Sequence, residues 1–361
     1  MNIRSFLKKM RFGYKLAQNK LSGNLTPFLL QFSITNACNL KCKYCYAKYY
    51  ERKQKDLSKD QIFKIIDEVW ALGTIRINLV GGEPLLRKDI GEIINYIKQK
   101  GMECALTSNG LLVEKKIDEI KSLDNLCLSL DGDREANDYN RGKGTYDKII
   151  SAIDIAKKHN IKTQVSSVLT TQTIKSLDSF IDLAKSKGFL IGFTTPISQT
   201  SSGETKPIEN SAKDEELKQG IRKLIQIKEK GGPVLFSNES YIYALKWPYE
   251  YTKDKIIGEK PGFKIPKCYA GRYWGIIDVN GDIYPCPALV DVIQPANCLE
   301  LGFKKAWKIA SQHNCYTCHF PCNNEFNFMF GLNYKVLLNL FKNYQRRMPR
   351  SVILSEVKNL K

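Results

Sequence analysis

FLLQFSITNACNLKCKYCY, residues 28–46, runs from an apolar, β-rich stretch straight into three cysteines, Cys38, Cys42 and Cys45. Residues 28–35 read as a strand, and the thiols follow on a loop. Spacings of three and then two residues let three thiolates wrap one cuboidal cluster, each taking one iron. The fourth iron is left for an external molecule offering nitrogen and oxygen. A structural zinc ion wants a fourth ligand, and no nearby cysteine or histidine supplies one.

Outward from this loop the chain alternates short β-rich runs with helical ones. Strands are expected at 75–80, 102–107, 125–130, 161–169 and 189–195, and helices at 58–73, 89–100, 114–122, 145–159 and 174–187. In the first helix Ile62, Ile65, Ile66 and Val69 share one face, and Ser58 with Gln61 suits a capping box. Six βα units predict an α/β fold on a parallel sheet, barrel-like or doubly wound.

Three further motifs fall at expected strand ends: Val80-Gly81-Gly82-Glu83-Pro84, Thr107-Ser108-Asn109-Gly110 and Ser129-Leu130-Asp131-Gly132. Each alone is an ordinary turn, and Ser108 or Asn109 could simply cap a helix. Together, in order, they mark the C-terminal edge of the sheet, where α/β folds bind ligands.

The C-x3-C-x-aromatic-C loop, with Tyr44 as the aromatic, and these motifs in sequence resemble the radical S-adenosylmethionine superfamily. The resemblance implies a partial (β/α)6 TIM-like barrel and an enzyme that reductively cleaves S-adenosylmethionine to a 5′-deoxyadenosyl radical, which abstracts hydrogen from a substrate. By it, Cys38, Cys42 and Cys45 hold a 4Fe–4S cluster. Gly81, Gly82 and Glu83 meet the methionine amine, and Ser108, Asn109, Ser129 and Asp131 meet ribose and methionine. Tyr44 and the Val168–Leu169 strand end lie near the adenine. Arg141 either neutralises the methionine carboxylate or is a solvent-exposed loop cation.

Eleven cysteines in a chain expected to be cytoplasmic point to metal or catalysis and not to disulfides. Cys104 and Cys127 sit alone in apolar runs and read as small buried hydrophobes. Six others lie toward the C-terminus. Cys268 and Cys286 flank RYWGIIDVNGDIYPCP (272–287), whose Asn280-Gly281 pair signals a hairpin with a type I′ turn. Cys315, Cys318 and Cys322 follow a helix near 303–311, in a loop. A hairpin that gathers two thiols, plus C-x2-C, suits a four-ligand cluster; a zinc ribbon has the same outline. The layout resembles the SPASM/twitch extension in its shortened form, which implies one auxiliary 4Fe–4S cluster. Its expected ligands are Cys268, Cys286, Cys315 and Cys318, with Cys322 able to replace one of the last pair. Cys298 reads as a bystander and His319 as a polar loop residue.

The domain reading is a basic amphipathic segment (1–27), the barrel (28–200), a helical linker (201–260), the cluster-binding hairpin and helix domain (261–330), and a C-terminal helix and tail (331–361). Residues 327–350 read as one helix, apolar then basic, stopping near Pro349, with the last dozen residues without pattern.

The net charge of +19, 56 basic against 37 acidic residues, favours an anionic partner, although a solvated basic surface is the plainer reading. No nucleic-acid motif accompanies it. No stretch reaches the ~18–20 apolar residues of a membrane span, and the first twenty residues lack a secretory h-region. The substrate classes left open are a peptide, a small molecule and a lipid, with a reductant such as flavodoxin or ferredoxin. The lipid idea, with peripheral contact at the inner membrane face, rests on two helical faces. One has Ile3, Phe6, Leu7 and Met10 beside Arg4, Lys8, Lys9 and Arg11; the other has Leu337, Leu338 and Phe341 beside Lys342, Arg346 and Arg347. A non-catalytic iron–sulfur electron carrier is the remaining alternative.

Overall fold

The computed structural model describes residues 3–201, 204–206 and 211–346. Helix α1 (Ile3–Ser22) precedes the alternating half: β1 (Leu29–Ser33), α2 (Lys59–Ala71), β2 (Arg76–Val80), α3 (Ile90–Gln99), β3 (Glu103–Ser108), α4 (Val113–Ile120), β4 (Asn125–Ser129), α5 (Arg134–Arg141), α6 (Thr145–Lys158), β5 (Thr163–Val168), α7 (Thr171–Lys175), α8 (Leu177–Lys187) and β6 (Ile191–Thr194). A small hairpin, β7 (Gln199–Ser201) and β8 (Glu204–Lys206), leads to α9 (Asp214–Glu229) and α10 (Asn238–Leu245). The remainder comprises β9 (Lys255–Ile257), β10 (Trp274–Ile277), β11 (Asp282–Tyr284), β12 (Ala296–Asn297), α11 (Cys298–Leu301), α12 (Phe303–Ala310), β13 (Cys315–Cys318), α13 (Pro321–Phe330) and α14 (Tyr334–Arg346).

Strands β1 to β6 pair in chain order, all parallel. Their outer face is apolar because it meets helices: Ile77 and Leu79 of β2 are buried, as are Ile62, Ile65, Ile66 and Val69 of α2. The capping box forms, Gln61 N–H donating to Ser58 Oγ at 3.2 Å and Ser58 N–H to Gln61 Oε1 at 2.9 Å. Parallel strands are normally apolar on both faces. Here the inner face carries Gln31, Asn78, Thr107 and Gln164 around a cavity. The chamber inside the barrel is therefore polar on its sheet wall, while Leu235, Phe236, Trp274, Phe326 and Leu340 give it an apolar opposite wall.

The C-terminal hairpin does not stand apart from the barrel. Strand β10 pairs parallel with β1, and β11 and β12 extend the same sheet antiparallel, giving nine strands. The hairpin turn is not of type I′: Gly281 has φ +90°, while Asn280 does not take positive φ. Gly281 N–H donates to Asp278 O at 3.0 Å and Asp278 N–H to Asp282 O at 2.7 Å. This is a three-residue loop with a single left-handed glycine.

Three other expectations change. Arg141 closes helix α5, a segment whose polar composition hid its periodicity, and is not in an exposed loop. Cys315–Cys318 is a strand, paired antiparallel with β9. The single helix expected over 327–350 is two, broken at Leu332 (φ +61°) and restarted where Asn333 Oδ1 accepts from the N–H groups of Lys335 and Val336.

Helix α14 docks through Val336, Asn339 and Asn343, the two amides donating to Leu235 O, and leaves Leu337, Leu338 and Phe341 exposed. The side chains of Ile3, Arg4, Phe6, Leu7, Lys8, Lys9, Met10, Arg11 and Arg346, together with Arg347, the stop near Pro349 and the C-terminal tail, lie outside the described residues. Among those described, no helix is long and apolar enough to cross a membrane.

Candidate functional site

The loop of Cys38, Cys42 and Cys45 leaves the C-terminal end of β1 and is held by backbone contacts on both sides. Gly82 N–H donates to Thr35 O and Glu83 N–H to Ala37 O, each at 2.8 Å. Glycine is required here because a Cβ on Gly81 would lie 2.5 Å from Thr35 O, and one on Gly82 would lie 2.3 Å from Ala37 O. The two glycines thus serve the cysteine loop directly. Asp56, which no sequence signal marked, ties the loop from beneath. It accepts from Thr35 Oγ1 at 2.5 Å and Asn36 N at 2.8 Å.

The three thiols are half-buried and near one another. Burial pushes Cys42 up to about 11, opposed by the neighbouring Arg141 charge, and raises Cys38. Apart from a metal, the Cys38 and Cys42 thiols hold their protons; thiolates there need cationic ligation. Three soft donors in one loop, beside a buried guanidinium, fit an iron–sulfur cluster with one open iron.

The other predicted residues form two internal clamps. Glu83, fully buried, accepts from Ser108 Oγ (2.9 Å), Leu85 N (3.0 Å) and Asn109 N (2.8 Å), joining the end of β2 to the end of β3. Burial raises its carboxyl to about 7 despite these donors. Asn109 Nδ2 in turn donates to Asn39 Oδ1 at 2.7 Å, inside the cysteine loop. Asp131, also fully buried, accepts from Tyr44 OH, Arg141 Nε (2.6 Å), Val168 N (3.0 Å) and Ser167 Oγ (3.3 Å). Arg141 lies over the Tyr44 ring, 5.4 Å from its centroid. The Arg141 Nη groups make no hydrogen bond with the described residues, nor does the half-buried Ser129 hydroxyl.

At the other site Cys268, Cys286, Cys315 and Cys318 line a single cavity. Each thiol is raised by burial, Cys315 to about 12. For the last three, the neighbouring thiols raise it further. Lys255, paired with Asp254 at 2.7 Å, opposes the shift at Cys286 and Cys315. Among the described residues no three His, Cys, Asp or Glu side chains gather as tightly as one metal ion requires; the four thiols surround a space instead. Cys322 stands elsewhere, its Sγ 3.6 Å from Thr194 Oγ1 on the inner face of the barrel. His319 is a buried tie, donating Nε2–H to Tyr251 O at 2.9 Å and accepting from Thr195 Oγ1 at 2.8 Å; burial lowers it to about 4. Cys298 is buried against Gly281, away from the cavity.

Residues 32–184 match the model of the radical SAM superfamily. These residues form a radical SAM domain. It is 29% identical over 290 residues to the mycofactocin maturase MftC of Mycolicibacterium smegmatis, covering 78% of this chain and 70% of MftC. It is 33% identical over 178 residues to the Fe-coproporphyrin III synthase of Methanosarcina barkeri, covering 45% of this chain and 44% of that enzyme. Among solved structures, SuiB of Streptococcus suis bound to S-adenosylmethionine superposes with a TM-score of 0.63 at 19% identity, over 83% of this chain and 70% of SuiB. This radical SAM enzyme uses a 4Fe–4S cluster and S-adenosylmethionine, with an auxiliary iron–sulfur cluster.

Several structural residues of the radical SAM core escaped sequence reasoning. Arg52 pairs with Asp278 through two hydrogen bonds of 3.1 and 2.5 Å, both side chains under one-tenth exposed, joining the cysteine loop to the turn of the C-terminal hairpin. Their separation of 226 positions leaves no local signal. Asn327 Oδ1 accepts from Tyr269 N at 2.9 Å and Trp274 Nε1 at 3.3 Å, bracing the wall of the four-thiol cavity. It falls on α13, at the first residue of the helix expected over 327–350, and its partners lie more than fifty positions away.

Proposed function

We propose that Cys38, Cys42 and Cys45 hold the cluster that meets S-adenosylmethionine, that Cys268, Cys286, Cys315 and Cys318 hold the auxiliary cluster, and that the substrate is a peptide. The carrying observation is the three-thiol loop locked onto Gly82 and Glu83 beside an Arg141 whose Nη groups are open. Residues 28–200 are the radical unit and 261–330 the auxiliary unit, joined through 201–260. Held by Cys38, Cys42 and Cys45, the first cluster would supply the electron for reductive cleavage of S-adenosylmethionine, the source of a radical able to take hydrogen from the substrate.

The chain's own residues orient and neutralise. Arg141 offers its Nη groups to the methionine carboxylate, a charge-assisted pairing, and Ser129 adds a hydroxyl at the end of β4. Glu83 and Asp131 are positioning residues. Glu83 fixes Ser108, Asn109 and the glycine turn, while Asp131 fixes Tyr44 and Arg141 and anchors the Val168 strand end. Gly81 and Gly82 place backbone groups close to the amine. The four enclosed thiols suit an acceptor for the electron left on the substrate. Cys322 faces the chamber and is a ligand only if α13 shifts.

A peptide substrate is supported by the maturase MftC and by SuiB, whose structure has been solved with the precursor peptide SuiA. The test is anaerobic reconstitution, reduction by flavodoxin or ferredoxin, and incubation with a deuterated peptide encoded beside the gene. Deuterium appearing in 5′-deoxyadenosine supports the reading; transfer from a small metabolite and not from the peptide refutes it. A second reading, contact with anionic lipid, has the exposed Leu337, Leu338 and Phe341 in its favour. Failure to sediment with anionic liposomes removes it.

A further inference from the structure

The inner face of the sheet carries side chains that cluster chemistry does not use. A cavity of about 240 Å3 lies between strands β1–β5 and helix α13. Gln31, Asn78 and Cys127 line it, each two residues before Ser33, Val80 and Ser129 at the strand ends. Two residues of strand span roughly 7 Å and point to the same face. The chamber therefore begins one side-chain layer beneath the strand-end site. Trp274 lines both this chamber and the four-thiol cavity. The chamber therefore borders the four-thiol cavity.

Its polar groups are unevenly occupied. Arg76 is on the chamber face, because Ile77 and Leu79 turn into the core, and it makes no ion pair among the described residues. Asn125 is 5% exposed, and its Oδ1 accepts no hydrogen bond among the described residues. A buried acceptor left empty is costly, so this position calls for a donor. The acid in the wall, Glu325, is already engaged. It accepts from Ser237 N, Ser237 Oγ, Ser240 Oγ and Asn339 Nδ2 at 2.5–3.0 Å. Without a hydrogen bond among the described residues are the Arg76 guanidinium, the Gln31 amide and, buried in the wall, the Asn125 carbonyl oxygen. Arg76 and Asn125 stand two strands apart and two residues out of register, roughly 12 Å between backbones, a span that their side chains and one bound residue can bridge.

We propose that the chamber binds a substrate carboxylate on Arg76, with an adjacent N–H donated to Asn125 Oδ1. This rests on the peptide reading above. In a peptide the carboxylate is an acidic side chain or the C-terminus, and a backbone amide lies close to either. The chain's charge of +19 favours approach of such an anion.

Calorimetric titration of the reconstituted, S-adenosylmethionine-saturated enzyme tests this with four probes. These are N-acetylglutamate N-methylamide and its glutamine counterpart for a side-chain acid, and N-acetylglycine and its N-methylamide for a terminal one. At least one acid should bind about tenfold or more tightly than its amide, and the pair that discriminates identifies the source. Arg76→Gln should abolish the preference and Arg76→Lys should restore part of it, with circular dichroism confirming the fold of each variant. Equal binding of acid and amide, no binding of either, or a preference that survives Arg76→Gln overturns the proposal. Release of 5′-deoxyadenosine is followed in parallel. Its absence in the wild type strikes at the radical chemistry, whereas normal release without acid preference strikes only at the chamber assignment.

Discussion

Cys38, Cys42 and Cys45 come from one loop, residues 38–45, whereas Cys268, Cys286, Cys315 and Cys318 are gathered from an extended loop, a hairpin flank and a strand. The first group is half-buried and held by main-chain bonds to the glycine turn and by the Glu83 and Asp131 clamps. The second is more enclosed, with Cys286 and Cys318 buried, Cys268 and Cys315 half-buried, and Asn327 bracing the wall. A loop pinned at its edges and open at its face suits exchange of an external ligand. A more enclosed pocket with four thiols suits a group that stays in place. The difference teaches that donor number and access separate these sites more than thiol chemistry does.

The contrast can be broken first at Cys42. Cys42→Ala should lower 5′-deoxyadenosine formation by at least about a hundredfold while retaining the second site's iron, as read by iron analysis and product chromatography. Cys318→Ala should instead remove about half of the total iron, roughly four of eight atoms if each site holds a four-iron cluster. Its loss of S-adenosylmethionine cleavage should be far smaller than that of Cys42→Ala. Equal effects of the two variants on cleavage would erase the distinction.

The tie between the two regions comes next. Arg52→Ala leaves Asp278 buried without its partner and should cost about 3–5 kcal/mol, measured by denaturant unfolding. The double variant Arg52→Met with Asp278→Leu should recover much of that loss, since removing both charges removes the uncompensated one. The smallest effect is expected at Cys322. Cys322→Ala should keep the full iron content, because its thiol lies at Thr194 and outside the four-thiol cavity. Loss of half the iron in that variant would show that α13 rearranges to bring Cys322 into the ligand set.

Much of this was legible in the sequence where the signal is local. The alternation of apolar strands and amphipathic helices placed β1 to β6, and Ser58 with Gln61 marked the start of α2 correctly. The cysteine spacing located the loop because three ligands lie within one short segment. The uses of Glu83 and Asp131 were not legible, since Glu83 reaches across to the end of β3, Asp131 joins the cysteine loop, α5 and β5, and only the closed sheet brings these together. Arg52–Asp278 has the same character. Helix α5 was missed because Arg134–Arg141 is almost entirely polar, so no apolar period reveals it. The turn at Asn280-Gly281 was read one residue too tight, since the dipeptide serves a type I turn followed by a glycine bulge as readily as type I′. The joining of β10 to β1 could not be read at all, because parallel pairing across the chain leaves no mark in either segment.

The most direct test of the central claim is the yield of 5′-deoxyadenosine from S-adenosylmethionine by anaerobically reconstituted, dithionite-reduced protein without added substrate. Wild-type protein should release it slowly, and Cys42→Ala should release none above background. A fully iron-loaded wild type that releases none, or a Cys42→Ala variant that matches it, would contradict the assignment of Cys38, Cys42 and Cys45.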